Sequence, residues 1–150
     1  MPAGCMKGRQ GSEGETLEVN GQPEPIISVS GLRGIIGETL TPPLAARYVA
    51  AFAEQLPPGA VVVSRDGRST GPMLSEIVKA TLIATGRDVL DAGVAATPTL
   101  GILVREHQAA GGVQISASHN PPAYNGLKLF GSAGRVIPAA AGDEVIAAFR

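Results

Sequence analysis

Between Ile35 and His107 the sequence repeats one pattern: a short apolar run, a glycine-containing polar loop, then a segment with apolar residues at helical spacing. Strands separated by helices pair in one sheet only after each helix has crossed a face of it. The repeat therefore restricts the chain to the α/β class, a three-layer α/β/α sandwich whose sheet is covered on both faces. In "TPPLAARYVAAFAEQL", Thr41 is a candidate N-cap and prolines follow in the first turn. Leu44, Tyr48, Val49, Phe52 and Leu56 fall on one helical face. After a Pro-Pro-Gly turn, Ala60–Ser64 reads as a buried strand and "RDGRSTG" as a loop. Pro72–Thr85 then reads as a helix faced by Leu74, Ile77, Val78 and Leu82 and stopped by Gly86. Asp88–Asp91 is a short strand, "GVAATPT" a loop and Pro98–His107 a third helix; Val113–Ser116 is the next strand, and a last helix runs from about Ala140 to Arg150.

Two segments depart from plain alternation. Ile26–Ser30 and Ile35–Gly37 flank "GLRG", where Gly31 and Gly34 permit a tight bend with Arg33 at its tip. Asn125-Gly126 reads as a hairpin-like return that pairs Leu127–Phe130 antiparallel, so the sheet is expected to be mixed and mostly parallel. Residues 1–25 are polar, rich in Gly, Glu and Gln and without periodicity, and are expected to form a disordered extension before a folded domain over 26–150.

Charge and cysteine content exclude several classes. The formal net charge is −1 and the basic residues are dispersed, which leaves no electrostatic footprint for nucleic acid. Cys5 is the single cysteine, so an internal disulfide and a cysteine metal cage are both excluded. "PAGC" is similar to a lipoprotein cleavage box, yet no apolar segment precedes it. No run is long enough to span a membrane, and a cytoplasmic location is the expectation.

The chemistry-bearing residues gather in two loops placed at strand carboxyl ends, "RDGRSTG" and "SASHNPP", where α/β folds collect functional groups. Ser118 is followed by His119, but adjacent side chains rarely face each other, so His119 is poorly placed as its base. Lys128 returns toward the Ser118 loop through Asn125-Gly126, and its amine there would favour an anion, phosphate above all. The alternative is that Ser-His-Asn-Pro-Pro is only a turn, and local chemistry weighs the two about equally. No Gly-x-Ser-x-Gly elbow, Walker loop or His-Glu-x-x-His motif is present, and a serine hydrolase lacks an acidic orienter. Arg65, Asp66 and Arg68 stand at a strand end and read as an Asp-Arg pair that fixes the loop and the next helix start. His107 reads as a solvated group closing a helix.

"SASHNPPAYNGLK" resembles the active-site signature of the α-D-phosphohexomutases, which comprise phosphoglucomutase, phosphomannomutase and phosphoglucosamine mutase. "SGLRG" resembles that family's amino-terminal Gly-x-x-Gly-Ile-Arg-Gly turn, and "VVVSRDGRSTG" its Val-Gly-Arg-Asp-x-Arg-x-Ser-Gly segment. The resemblance covers about Ile26 to Phe130. It implies that Ser118 is a phosphoserine, that Lys128 transfers a proton at the sugar hydroxyl, and that Arg33 and His119 hold charge around the phosphoryl group. It also implies a phosphosugar substrate, a sugar 1,6-bisphosphate intermediate, and Mg²⁺ bound partly through the Ser118 phosphate. Ser64 stands where the family usually has Gly, and Gly67 where it commonly has Thr; neither position bears a catalytic group. The family's Asp-Gly-Asp-x-Asp-Arg loop, which supplies the main Mg²⁺ ligands, has no counterpart here, nor do the sugar-selecting and phosphate-binding loops. The resemblance is thus to the first of four domains, leaning toward phosphoglucosamine mutase. The alternatives are glucose or mannose specificity, or a non-catalytic truncated domain that binds a phosphosugar.

Overall fold

The structure, a computed structural model, describes residues 25–150; the expected extension lies almost wholly outside the described residues. The strands are β1 (Ile26–Ser28), β2 (Gly31–Ile35), β3 (Val61–Arg65), β4 (Val89–Val94), β5 (Gly111–Ile115) and β6 (Tyr124–Gly131). The helices are α1 (Pro42–Gln55), α2 (Gly71–Ala84), α3 (Thr97–Glu106) and α4 (Ala139–Phe149). The strands form one sheet in the order β1-β2-β6-β5-β3-β4.

The α/β class and the mixed sheet are as expected, with β2, β3, β4 and β5 running in one direction and β1 and β6 in the other. β3 pairs in parallel with β4 and β5, while the β1–β2, β2–β6 and β5–β6 pairs are antiparallel. Helical crossovers join β3, β4 and β5, which therefore run together. β1 and β2 form a hairpin, and β6 reverses directly from β5 without a helix.

Two turns lie elsewhere than expected, for one reason. Ser28 pairs with Gly31, so the β1–β2 turn is Val29-Ser30, and Arg33 sits within β2 rather than at the tip of a bend. Asn125 and Gly126 lie inside β6, and residues 116–123 make the β5–β6 reversal. The glycines of these motifs serve close strand approach instead of turning. A Cβ at Gly31 would run into the Leu127 carbonyl, and one at Gly126 would stand 2.7 Å from the Leu32 oxygen and 3.0 Å from that of Ser116.

The larger core lies on the face covered by α1, α2 and α4, where Leu32, Val61, Val63, Val113, Ile115, Leu127 and Leu129 meet Tyr48, Val49, Phe52, Leu74, Val78 and Leu82. Strand alternation sends these residues to one face and their neighbours to the other. α1 starts as predicted at Thr41, whose side chain makes no cap bond; Pro42 and Pro43 have no N–H to satisfy there. α4 docks on α1 through Phe149, edge-on to Tyr48 with ring centroids 5.7 Å apart and stacked under Arg47. On the opposite face α3 lies over β3 and β5, packing Leu100 and Val104 on Val62 and Phe130. No helix among the described residues is long and apolar enough to cross a membrane.

Candidate active site

Register decides which side chains share a face. Arg33 lies opposite Gly126, and Lys128 lies opposite both Gly31 and Gln114. Directly paired residues, and those two apart on one strand, project from the same side. Arg33 and Lys128 are therefore diagonal neighbours on the α3 side of the sheet, and in the β2–β6 pairing a glycine lies opposite each of them. α3 extends over β3 and β5, and over β2 and β6 the sheet instead bears a cleft of about 210 Å³. Its walls include Ile26, Ser28, Ser30, Arg33, Ser116 and Lys128. Among the described residues, neither cation has an acidic partner. Two partly buried, uncompensated cations above a bare sheet surface form a site for an anion.

Ser118 stands beside this cleft without lining it. Ser116 N donates to the Gly126 carbonyl at 2.9 Å, continuing the ladder in a row with Arg33, and the Ser116 hydroxyl in turn accepts from Ser118 N at 3.1 Å. The loop thus leaves the cleft wall and places Ser118 and His119 in solvent. Ser118 has a φ of 55°, in the left-handed region that a residue with a Cβ enters at a cost of roughly 1–3 kcal/mol. Such a conformation persists only where neighbouring contacts impose it.

Those contacts come from a residue that sequence reasoning assigned elsewhere. The Arg68 guanidinium donates to the carbonyls of Ser118 (3.0 Å), Asn120 (2.7 Å), Pro121 (2.9 Å) and Tyr124 (2.9 Å). Asp66 does pair with Arg68, at 3.4 Å, and its carboxylate accepts from Arg68 N at 3.0 Å. The ion pair therefore fixes its own loop, as expected, and also aims the guanidinium across the sheet end into the second loop. The only sequence signal for this was that both loops sit at carboxyl ends of strands; β3 and β5 are direct neighbours, with Arg65 paired to Ile115. Asn125, buried in β6, donates to the Thr70 hydroxyl at 2.9 Å and so ties β6 to the start of α2.

Mg²⁺ fits the residues present poorly. Among the described residues no group of three or more His, Cys, Asp or Glu side chains could hold a metal, and Asp66 is engaged by Arg68. Mg²⁺ takes near-octahedral oxygen ligation, of which a phosphorylated Ser118 could offer only a part.

Fold and site together define an α/β/α domain that presents a strained serine loop beside a cleft carrying two cations. Residues 25–150 match the α/β/α domain I of the phosphoglucomutase/phosphomannomutase family, and the chain belongs to that family. Among curated relatives it is 47% identical over 110 residues to the phosphoglucosamine mutase of Synechococcus sp. RCC307, covering 72% of this chain and 24% of the relative. It is 42% identical over 120 residues to that of Parasynechococcus marenigrum WH8102, covering 79% and 26%. The chain spans about a quarter of the length of these relatives. A phosphoglucomutase/phosphomannomutase family protein from Burkholderia thailandensis superposes with a TM-score of 0.72 at 30% identity, over 83% of this chain and 29% of its own. A chain from Thermus thermophilus gives a TM-score of 0.79 at 29% identity, over 86% and 30%.

Proposed function

We propose that this chain is the phosphoryl-carrying domain of a cytoplasmic phosphohexomutase that interconverts glucosamine 6-phosphate and glucosamine 1-phosphate. The observation that carries the proposal is the pairing of a strained, exposed Ser118 with an adjoining cleft holding two cations that have no acidic partner among the described residues. The glucosamine assignment is supported by the names of the two relatives above.

In the forward half-reaction the phosphoryl group on Ser118 Oγ passes to the free hydroxyl of the sugar monophosphate. The serine O–P bond breaks and a sugar O–P bond forms; the Lys128 ammonium passes a proton to the departing serine oxygen and takes the sugar hydroxyl proton in its place, so that it ends as it began. The resulting bisphosphate reorients and returns its other phosphoryl group to Ser118 by the reverse steps. Phosphoryl transfer has little covalent chemistry for a protein to perform and depends on positioning and charge neutralisation. Arg33 supplies fixed positive charge from the cleft and His119 adds a donor on the loop. A Mg²⁺ held in part through the Ser118 phosphate would add further neutralisation.

The test is a chimera in which this chain replaces the matching segment of the Synechococcus enzyme. It should interconvert the glucosamine phosphates with a higher kcat/KM than the glucose or mannose phosphates, and Ser118→Ala should abolish turnover. A folded chimera whose activity survives Ser118→Ala contradicts the proposal.

A further inference from the structure

On the reading that Ser118 carries the phosphoryl group, we infer that Arg68 is the positioning residue that holds the phosphoserine loop in its transfer-ready conformation. Residues 116–123 leave the sheet ladder after Ser116 and contain Pro121 and Pro122, which have no N–H to donate. Their internal bonds are few. Asn120 N donates to the Ala117 carbonyl at 3.1 Å, Tyr124 N to that of Pro121 at 2.9 Å, and Ser118 N to the Ser116 hydroxyl. Among the described residues, the carbonyls of Ser118 and Asn120 have only Arg68 as donor.

A guanidinium carries five N–H donors in a rigid plane. Here four carbonyls and the Asp66 carboxylate converge on it, and the Arg68 side chain is 16% exposed. The bond to the Ser118 carbonyl orients the peptide plane after Ser118. With Ser118 N tied to the Ser116 hydroxyl, the peptide planes on both sides of Ser118 are held, and with them its positive φ. The bonds to Pro121 and Tyr124 anchor the far end of the same loop to β6. A lysine has three donors on one point charge and no plane, so it cannot span these acceptors.

The experiment uses the whole chain with phosphoserine encoded at position 118, unsubstituted and as Arg68→Lys, Arg68→Gln and Arg68→Ala. Amide exchange and the phosphorus NMR resonance are read together. In the variants, the Ser118 and Asn120 amides should exchange about 10- to 100-fold faster, the scale of hydrogen bonds to a charged group, while amides of Val62 and Val113 keep their protection. The phosphorus resonance should move toward that of a free peptide spanning residues 116–124. Methylguanidinium should reverse part of both changes in Arg68→Ala. Unchanged loop exchange in Arg68→Lys, or equal loss of sheet and loop protection in every variant, would overturn the inference.

Failure of the Ser118 reading itself looks different. The unsubstituted chain would then share the peptide's phosphorus resonance and ignore Arg33→Gln and Lys128→Gln, while loop exchange still answered to Arg68. That result overturns a positioning role in phosphoryl transfer.

Discussion

Lys128 and Arg33 share a cleft because in the β2–β6 pairing each lies opposite a glycine, so no side chain fills the space between these two strands. Gly126→Ala should force β2 and β6 apart and cost about 1–3 kcal/mol, the range for overpacking a tight site, measurable as a shift of the urea midpoint. Lys128→Gln should leave stability within about 0.5 kcal/mol, as for partly exposed positions without buried partners. In the chimera it should nonetheless lower kcat by about 10²- to 10⁴-fold, the usual contribution of a proton-transfer group. A different residue controls alkaline stability. Burial pushes the Tyr48 phenol up to about 12 from its ordinary 10.0. The unfolded chain then ionises Tyr48 before the folded chain does. Stability is full below pH 10 and falls as pH rises from about 10 to 12, by ~2–3 kcal/mol in all at 1.36 kcal/mol per unit. Tyr48→Phe should flatten that part of a stability–pH curve measured by urea titration.

At the scale of elements, the ends of β3, β5 and β4 are joined by a buried polar relay. The Ser64 hydroxyl donates to the Gln114 side-chain oxygen, and Gln114 Nε2 donates to the Ala95 carbonyl at 3.1 Å. Gln114→Leu should cost about 1–3 kcal/mol by orphaning both partners, again read from urea unfolding. The helices and the strands β3, β4 and β5 were legible in the sequence because apolar periodicity reports burial directly. The turns at "GLRG" and "YNGL" were not, because glycine permits a tight turn and a close strand approach equally, and only the partner strand shows which applies. The same limit hid Arg68. Its local partner, Asp66, is two residues away, whereas the carbonyls that it holds become neighbours only once β3 and β5 pair. Ser118, His119 and Lys128 stood out by their local chemistry, whereas the roles given to them and to Arg33 come from a motif resemblance alone. That Arg33 and Lys128 share one face follows from the register of β2 on β6.

For the molecule as a whole, the segment shared with the curated relatives covers only about a quarter of their length. The isolated 150-residue chain, even with phosphoserine at 118, should show no turnover with Mg²⁺ and a sugar bisphosphate. A bound metal ion and substrate orientation can each supply several kcal/mol of barrier lowering, and the described residues hold no group of side chains for a metal. Turnover at roughly 1 per second or faster, ordinary for an enzyme, would contradict this division of labour. The central claim, that Ser118 hands its phosphoryl group to the sugar, is tested most directly by a chase. The chimera is charged with radiolabelled phosphate, the label is mapped by peptide, and excess glucosamine 6-phosphate is added. The label should sit on Ser118 and leave it within one turnover, appearing in glucosamine 1,6-bisphosphate and the monophosphates. Label that maps to another residue, or that stays on Ser118 while the sugar turns over, would contradict it.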